Sequence, residues 1–196
     1  MAAELMPEQR QAFDDRLREL GLDSSHVVPS LNTGDTPGST YLSNDPAHDS
    51  AIPHQPITVN HIDDLKRLAG IPDADYESGA MQHHLEAPPE WPQEKNAHAL
   101  EDLDPTERGH LRDALAAYVY GDSSRVSSYT TVLNNNFFPL QAGAFAVQNV
   151  TIAPGSPLII SGNNVACNFG VVTIQPGGQI IVETDCTVTC QQMIKE

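Results

Sequence analysis

Positive charge is scarce in this sequence: 10 Lys and Arg stand against 26 Asp and Glu, a formal charge of −16. Polyanions repel such a chain, which excludes nucleic acid and anionic membrane surfaces as partners. Long apolar runs are missing as well. No stretch approaches the roughly 18 uncharged apolar residues of a membrane span, and the opening Met1–Glu8 has neither the basic cluster nor the apolar run of a secretory signal. These absences predict a soluble, cytoplasmic chain, with export by a signal-independent route left open. Cysteine is limited to Cys167, Cys186 and Cys190, an odd number that favours reduced thiols over a disulfide framework.

Catalytic signatures are absent too. The sequence has no Gly-x-Ser-x-Gly, His-Glu-x-x-His, Gly-x4-Gly-Lys-Ser/Thr or Gly-x-Gly-x-x-Gly, the patterns that mark common hydrolase and nucleotide sites. Carboxylate pairs such as Asp63 with Asp64, or Asp73 with Asp75, have the chemistry of a glycosidase in principle. The strand-forming part of the chain, however, carries almost no acids, so the expected protein is not an enzyme.

What is present divides the chain by charge. Residues 1–128 hold 23 acidic and 9 basic residues, whereas from Tyr129 to Val182 there is no Asp, Glu, Lys or Arg. A surface ordinarily carries a good fraction of charge, so the uncharged run predicts strands covered by neighbours or by other chains. The expected domains are therefore an acidic helix-and-coil region over 1–125 and an uncharged β module over 126–196.

Within the acidic part, Phe13, Leu17 and Leu20 recur at helical spacing between Pro7 and Gly21, predicting a helix near 7–20. Ile62, Leu65, Leu68 and Ala69 predict a second near 61–69. Asp104-Pro105-Thr106-Glu107 opens a third near 105–120, with Leu111, Leu115, Tyr118 and Val119 on its buried face. The segments between them, 22–60 and 72–99, are rich in Pro, Gly, Ser and Asn and read as coil.

The uncharged part has a repeat. Val150-Thr151-Ile152-Ala153-Pro154-Gly155 aligns with Val172-Thr173-Ile174-Gln175-Pro176-Gly177, and Ile159-Ile160 with Ile181-Val182, at an offset of 22. One inserted residue then aligns Val165-Ala166-Cys167 with Val188-Thr189-Cys190. Strand, Pro-Gly corner and strand recurring at this period predict a β-solenoid-like module whose like residues stack at about 4.8 Å. The alternative is an antiparallel β-sandwich with the same turns as hairpins. The fold class expected is thus α+β. Its β core would include Ile152, Ile159, Ile174, Ile181, Val172 and Val188, with Tyr129–Leu133 and Phe145–Val147 as a degenerate first coil.

Three constellations carry chemistry. His83, His84 and Glu86 offer the ligand mix of a divalent metal site, although no helical pair fixes their geometry, and no other cofactor is implied. Cys167 and Cys190 fall at equivalent repeat positions and would stack as neighbours, either as reduced apolar fillers or as a thiol pair. Trp91, isolated in polar chain with Ile52, Ile57 and Leu85, reads as an interaction anchor. Together these features predict a structural or scaffold protein that self-associates through its β module into a homo-oligomer or fibre. A carbohydrate- or protein-binding module, taking a glycan or another protein as partner, is the alternative. A hydrolase or metal-dependent enzyme ranks below both.

Overall fold

The structure is a computed structural model that describes residues 4–196. In chain order the elements are helix α1 (Pro7–Glu19), strands β1 (Val28–Asn32), β2 (Thr40–Ser43) and β3 (Gln55–Val59), then helices α2 (Ile62–Ala69), α3 (Asp73–Glu77), α4 (Pro105–Tyr120) and α5 (Thr130–Phe137). The remaining strands are β4 (Leu140–Ile152), β5 (Leu158–Ser161), β6 (Val165–Ile174), β7 (Ile180–Val182) and β8 (Cys186–Lys195). The chain forms two compact units, one of residues up to Ile57 with Gln141–Glu196, the other Thr58–Leu140.

The first unit holds two parallel sheets. One has the order β1-β4-β6-β8, with β3 also pairing with β4; the other is β2-β5-β7. From β4 onward the chain changes sheet at every corner, and residues 22 apart become lateral neighbours: Gly143 with Val165, Ile152 with Ile174, Ile159 with Ile181. Corners at Gly155 and Gly177 occupy the left-handed region, with φ of 73° and 86°, which only glycine adopts without strain. Phe145, Val147, Val150, Ile152, Leu158, Ile160, Val165, Cys167, Phe169 and Val172 bury a common core with Leu42 and Ile52 between the two sheets. Outside it, α1 lies against β6 and β8, where Asn168 donates its amide N–H to the Phe13 carbonyl.

This architecture corrects the expected fold class. Helices alternate with mostly parallel strands in two sheets, an α/β pattern, and not an α+β chain ending in an all-β module, β-solenoid-like or sandwich. The decisive elements are β1, β2 and β3, which come from the acidic stretch read as coil and enter both sheets. The chain accordingly parts after Ile57 and after Leu140, not near residue 125. Thr130–Phe137, expected to begin the β part, is helical, and Val132 and Leu133 belong to the core of the other unit. Short strands that pair with chain far away in the sequence, more than 100 residues away for β1 and β2, leave no periodic signal of their own, which is why local composition misassigned them.

The second unit packs α2, α4 and α5 around Ile62, Leu111, Tyr129, Val132 and Leu133. Asp104 caps α4, accepting from the Thr106 and Glu107 backbone N–H groups at 2.8 and 2.9 Å. At the other end of α4, the buried Lys66 ammonium donates to the carbonyls of Tyr118 and Gly121 at 2.8 and 2.7 Å and meets Asp73 at 3.0 Å. A cation placed on otherwise unpaired terminal carbonyls offsets the negative end of the helix dipole. Burial pushes the Asp73 carboxyl up, but the Ser123 hydroxyl and N–H, with Lys66, outweigh it and hold the group below the usual carboxylate range. Among the described residues, no helix is long and apolar enough to cross a membrane.

Candidate self-association surface

The strands that end the two sheets differ from those inside them. Leu158 and Ile160 lie in the buried core, and β7 places Ile180 and Val182 directly beside them. Likewise Val165, Cys167, Phe169, Val172 and Ile174 are core or core-packed residues, and β8 sets Cys186, Val188, Cys190, Met193 and Lys195 against them. Laterally paired residues in a parallel sheet share a face. Ile180, Val182, Cys186, Val188, Cys190 and Met193 are therefore the last layer of the core. Nothing among the described residues pairs with the outer edges of β7 and β8, and Val182 is 52% exposed, Met193 58% and Val188 38%.

The opposite end is finished by the chain itself. Ala51 donates its N–H to the Tyr41 carbonyl at 2.8 Å, and the Ser50 hydroxyl accepts from the Ser43 N–H at 3.2 Å, laying residues 50–52 along β2. Ile52 turns into the core and Leu42 is 0% exposed. In β1, Pro29 removes one edge N–H, a recognised protection of strand edges. Thr33, fully buried, accepts from the Ala153 N–H at 2.9 Å and ties this end to the next corner.

The expected site residues fall in different layers. Ile152 and Val172 are fully buried in the core, with Ile174 packed against it. Ile159 is buried but lies outside the core cluster that Leu158 and Ile160 join, its neighbour Ile181 is exposed, and Val188 is in the open layer. The inward residues of β5 and β7 are thus Leu158, Ile160, Ile180 and Val182, one position away from those expected. The cysteine register also needs correction: β6 and β8 pair at a spacing of 21, so Cys167 stands beside Val188, and Cys190 beside Phe169. All three cysteines are unbridged. Cys167 is buried, which pushes its thiol up, and burial with the nearby Asp185 carboxylate raises the Cys186 thiol.

Trp91 is no outward anchor. At 3% exposure it sits in the core of the Thr58–Leu140 unit, its ring 5.3 Å from that of Tyr129. Ile52 is a core residue of the sheet unit, and Leu85 remains exposed. His83, His84 and Glu86 form no metal centre, since no group of three potential ligands assembles among the described residues. His84 instead lies against Tyr76, with ring centroids 5.2 Å apart. Glu86 faces an open cleft of about 510 Å³ in the same unit, lined also by Pro88, Pro89, His110 and Asp113.

No family model matches the chain, and comparison with curated proteins and with solved structures finds no match.

Proposed function

We propose that this protein is a non-enzymatic structural or scaffold protein that works as a homo-oligomer, assembled through the open edges of β7 and β8. The observation that carries the reading is the exposed last layer of the core, where Val182, Val188 and Met193 sit beside unpaired strand edges. Edges of this kind are templates for another chain, and core residues left in water are characteristic of contact surfaces. The surrounding chemistry supports self-association over charged partners, because β7 and β8 carry a single charged residue, Lys195, in a chain of net charge −16. Three unbridged thiols support a reducing, cytoplasmic setting.

Light scattering coupled to size-exclusion chromatography of the full chain over a hundredfold concentration range tests this. The expected result is a mass above that of the 21.2 kDa chain, rising with concentration. A monomer throughout would sink the scaffold reading and shift attention to a binding module, with the cleft between Glu86 and Asp113 as its site.

A further inference from the structure

Resting on that scaffold reading, we infer that assembly closes at two copies: a second copy of this chain docks tail to tail, its β8 antiparallel to β8, with Val188 of each copy opposite Met193 of the other. Three observations carry this. The two ends of the sheets are unlike. At the β1/β2 end residues 50–52 lie along β2, Leu42 is fully buried and Pro29 sits in β1, so a head-to-tail stack would have to displace chain already bonded to β2. The β7/β8 end has no such covering segment, and two copies that both use that end form a closed, two-fold interface and not a filament.

The second observation is self-complementarity. A two-fold axis across an edge makes the new pair antiparallel, and full overlap of Cys186–Lys195 with its symmetry mate sets position 188 opposite position 193. These are the two large apolar residues β8 leaves exposed. Both continue the core face, since Val188 adjoins Cys167 and Met193 adjoins Val172, so opposite one another they share a face. The same register sets Lys195 of one strand beside Cys186 of the other, and Glu196 opposite Asp185. The third observation is the charge balance. With 23 of the 26 acids in residues 1–128, two copies that meet through this end bring together only Glu183, Asp185 and Glu196, with Lys195 among them, and keep the rest of their negative charge apart.

Sedimentation equilibrium of the full chain, with Val188→Glu, Met193→Lys, the double variant and Ser30→Lys, tests the inference. The altered side chains are exposed, and an unchanged thermal melt at a concentration that keeps the chain monomeric establishes that each variant folds. Expected are a dimer that grows no further at high concentration and at least tenfold weaker dimerisation for each tail variant. The double variant, which creates a Glu–Lys pair across the axis twice, should dimerise at least tenfold more tightly than the product of the single effects requires. Ser30→Lys on β1 should leave dimerisation unchanged.

A dimer indifferent to the tail variants, no recovery in the double variant, a mass that climbs past two, or dissolution by Ser30→Lys would each overturn the inference while leaving the scaffold reading intact. A wild-type chain that stays monomeric at every concentration would overturn both.

Discussion

β2 and β7 flank the same strand, β5, in the same parallel register, yet Leu42 in β2 is 0% exposed and Val182 in β7 is 52% exposed. The strands do not explain this difference, since both are short and each sets an apolar residue, Leu42 or Val182, beside Ile160. The segment leaving each strand sets it. After β2 the chain doubles back through residues 44–52, bonds to Tyr41 and Ser43 and drops Ile52 into the core. After β7 it turns directly into β8, in the other sheet. A parallel sheet thus acquires a finished end only where the sequence spends a connecting segment on it, and the unfinished end is left for something outside the subunit.

The sharpest contrast is expected in thiol chemistry. Cys186 and Cys190 belong to the open layer and are partly exposed, whereas Cys167 lies one strand further in and is buried. At pH 8, in chain dilute enough to be monomeric, two thiols should react with a maleimide in the native state. The third should wait for unfolding, roughly a thousandfold or more slower, because only global opening exposes a core residue. Burial and Asp185 raise the Cys186 thiol, which disfavours the reactive thiolate, so it should label more slowly than an ordinary exposed cysteine. Mass spectrometry of the labelled peptides identifies the order. Fast labelling of Cys167 would erase the distinction between inner and outer layers. At concentrations that populate the assembly, protection of Cys186 and Cys190 should appear.

Next in size is stability. Leu42→Ala removes a fully buried side chain and should cost about 2–5 kcal/mol, read as a lower urea midpoint at unchanged slope. Val182→Ala, at the matching inward position of the open end, removes a side chain already half in water and should cost under about 1 kcal/mol in the monomer. Equal costs would show that the two ends are equally buried in solution, and the comparison would fall.

The same contrast shows what local sequence can reveal. Phe13, Leu17 and Leu20, which mark a helix by spacing, are the residues that α1 and its C-terminus bury. The spacing between Ile152 and Ile174 reappears as lateral pairing in the sheet. Both signals are periodic, and periodicity survives in a single sequence. What was illegible depends on distance. Val28-Pro29-Ser30-Leu31 and Thr40-Tyr41-Leu42-Ser43 are too short and too polar to read as strands, and their partners, Val147–Thr151 and Leu158–Ser161, lie more than 100 residues away. The shared Val-x-Cys spelling suggested one extra residue in the second copy. The link between β6 and β8 is instead one residue shorter than that between β4 and β6, and link length, not residue identity, sets register. Trp91 shows the same blindness, since neither its isolation nor its neighbours disclosed that Tyr129 would enclose it.

For the candidate surface, the sequence showed the absence of charge but not which edge was free. Charge neutrality is common to β4, β5, β6 and β7, and only the fold separates the strands covered on both sides from the two that are not. The metal reading failed for a related reason. Adjacent histidines in coil say nothing of direction, and His84 is turned to Tyr76.

The smallest effect is expected at the corners, where the two ends again differ. At the finished end the Asn44 side chain clasps the neighbouring corner twice, donating to the Asn163 carbonyl and accepting from the Asn163 N–H, each at 2.7 Å. It also fills the space a side chain would need at Gly162, where an added Cβ would meet the Asn44 amide oxygen at 2.0 Å. At the open end Thr184 supplies a single bond to the Gly162 carbonyl, at 2.6 Å. A net hydrogen bond is worth about 0.5–1.5 kcal/mol, and water can replace part of the exposed Asn44 pair. Asn44→Ala is therefore expected to cost about 1–2 kcal/mol, and Thr184→Val about 0.5–1 kcal/mol. Urea unfolding measures both. Hydrogen exchange adds a spatial test: Asn44→Ala should speed exchange at the Asn163 amide and along β2, whereas Thr184→Val should affect the corner before β8 and the Gly162 corner it bonds, and leave β2 unchanged. A reversed order of cost would mean that the open end, not the finished one, holds the corners of the sheets together.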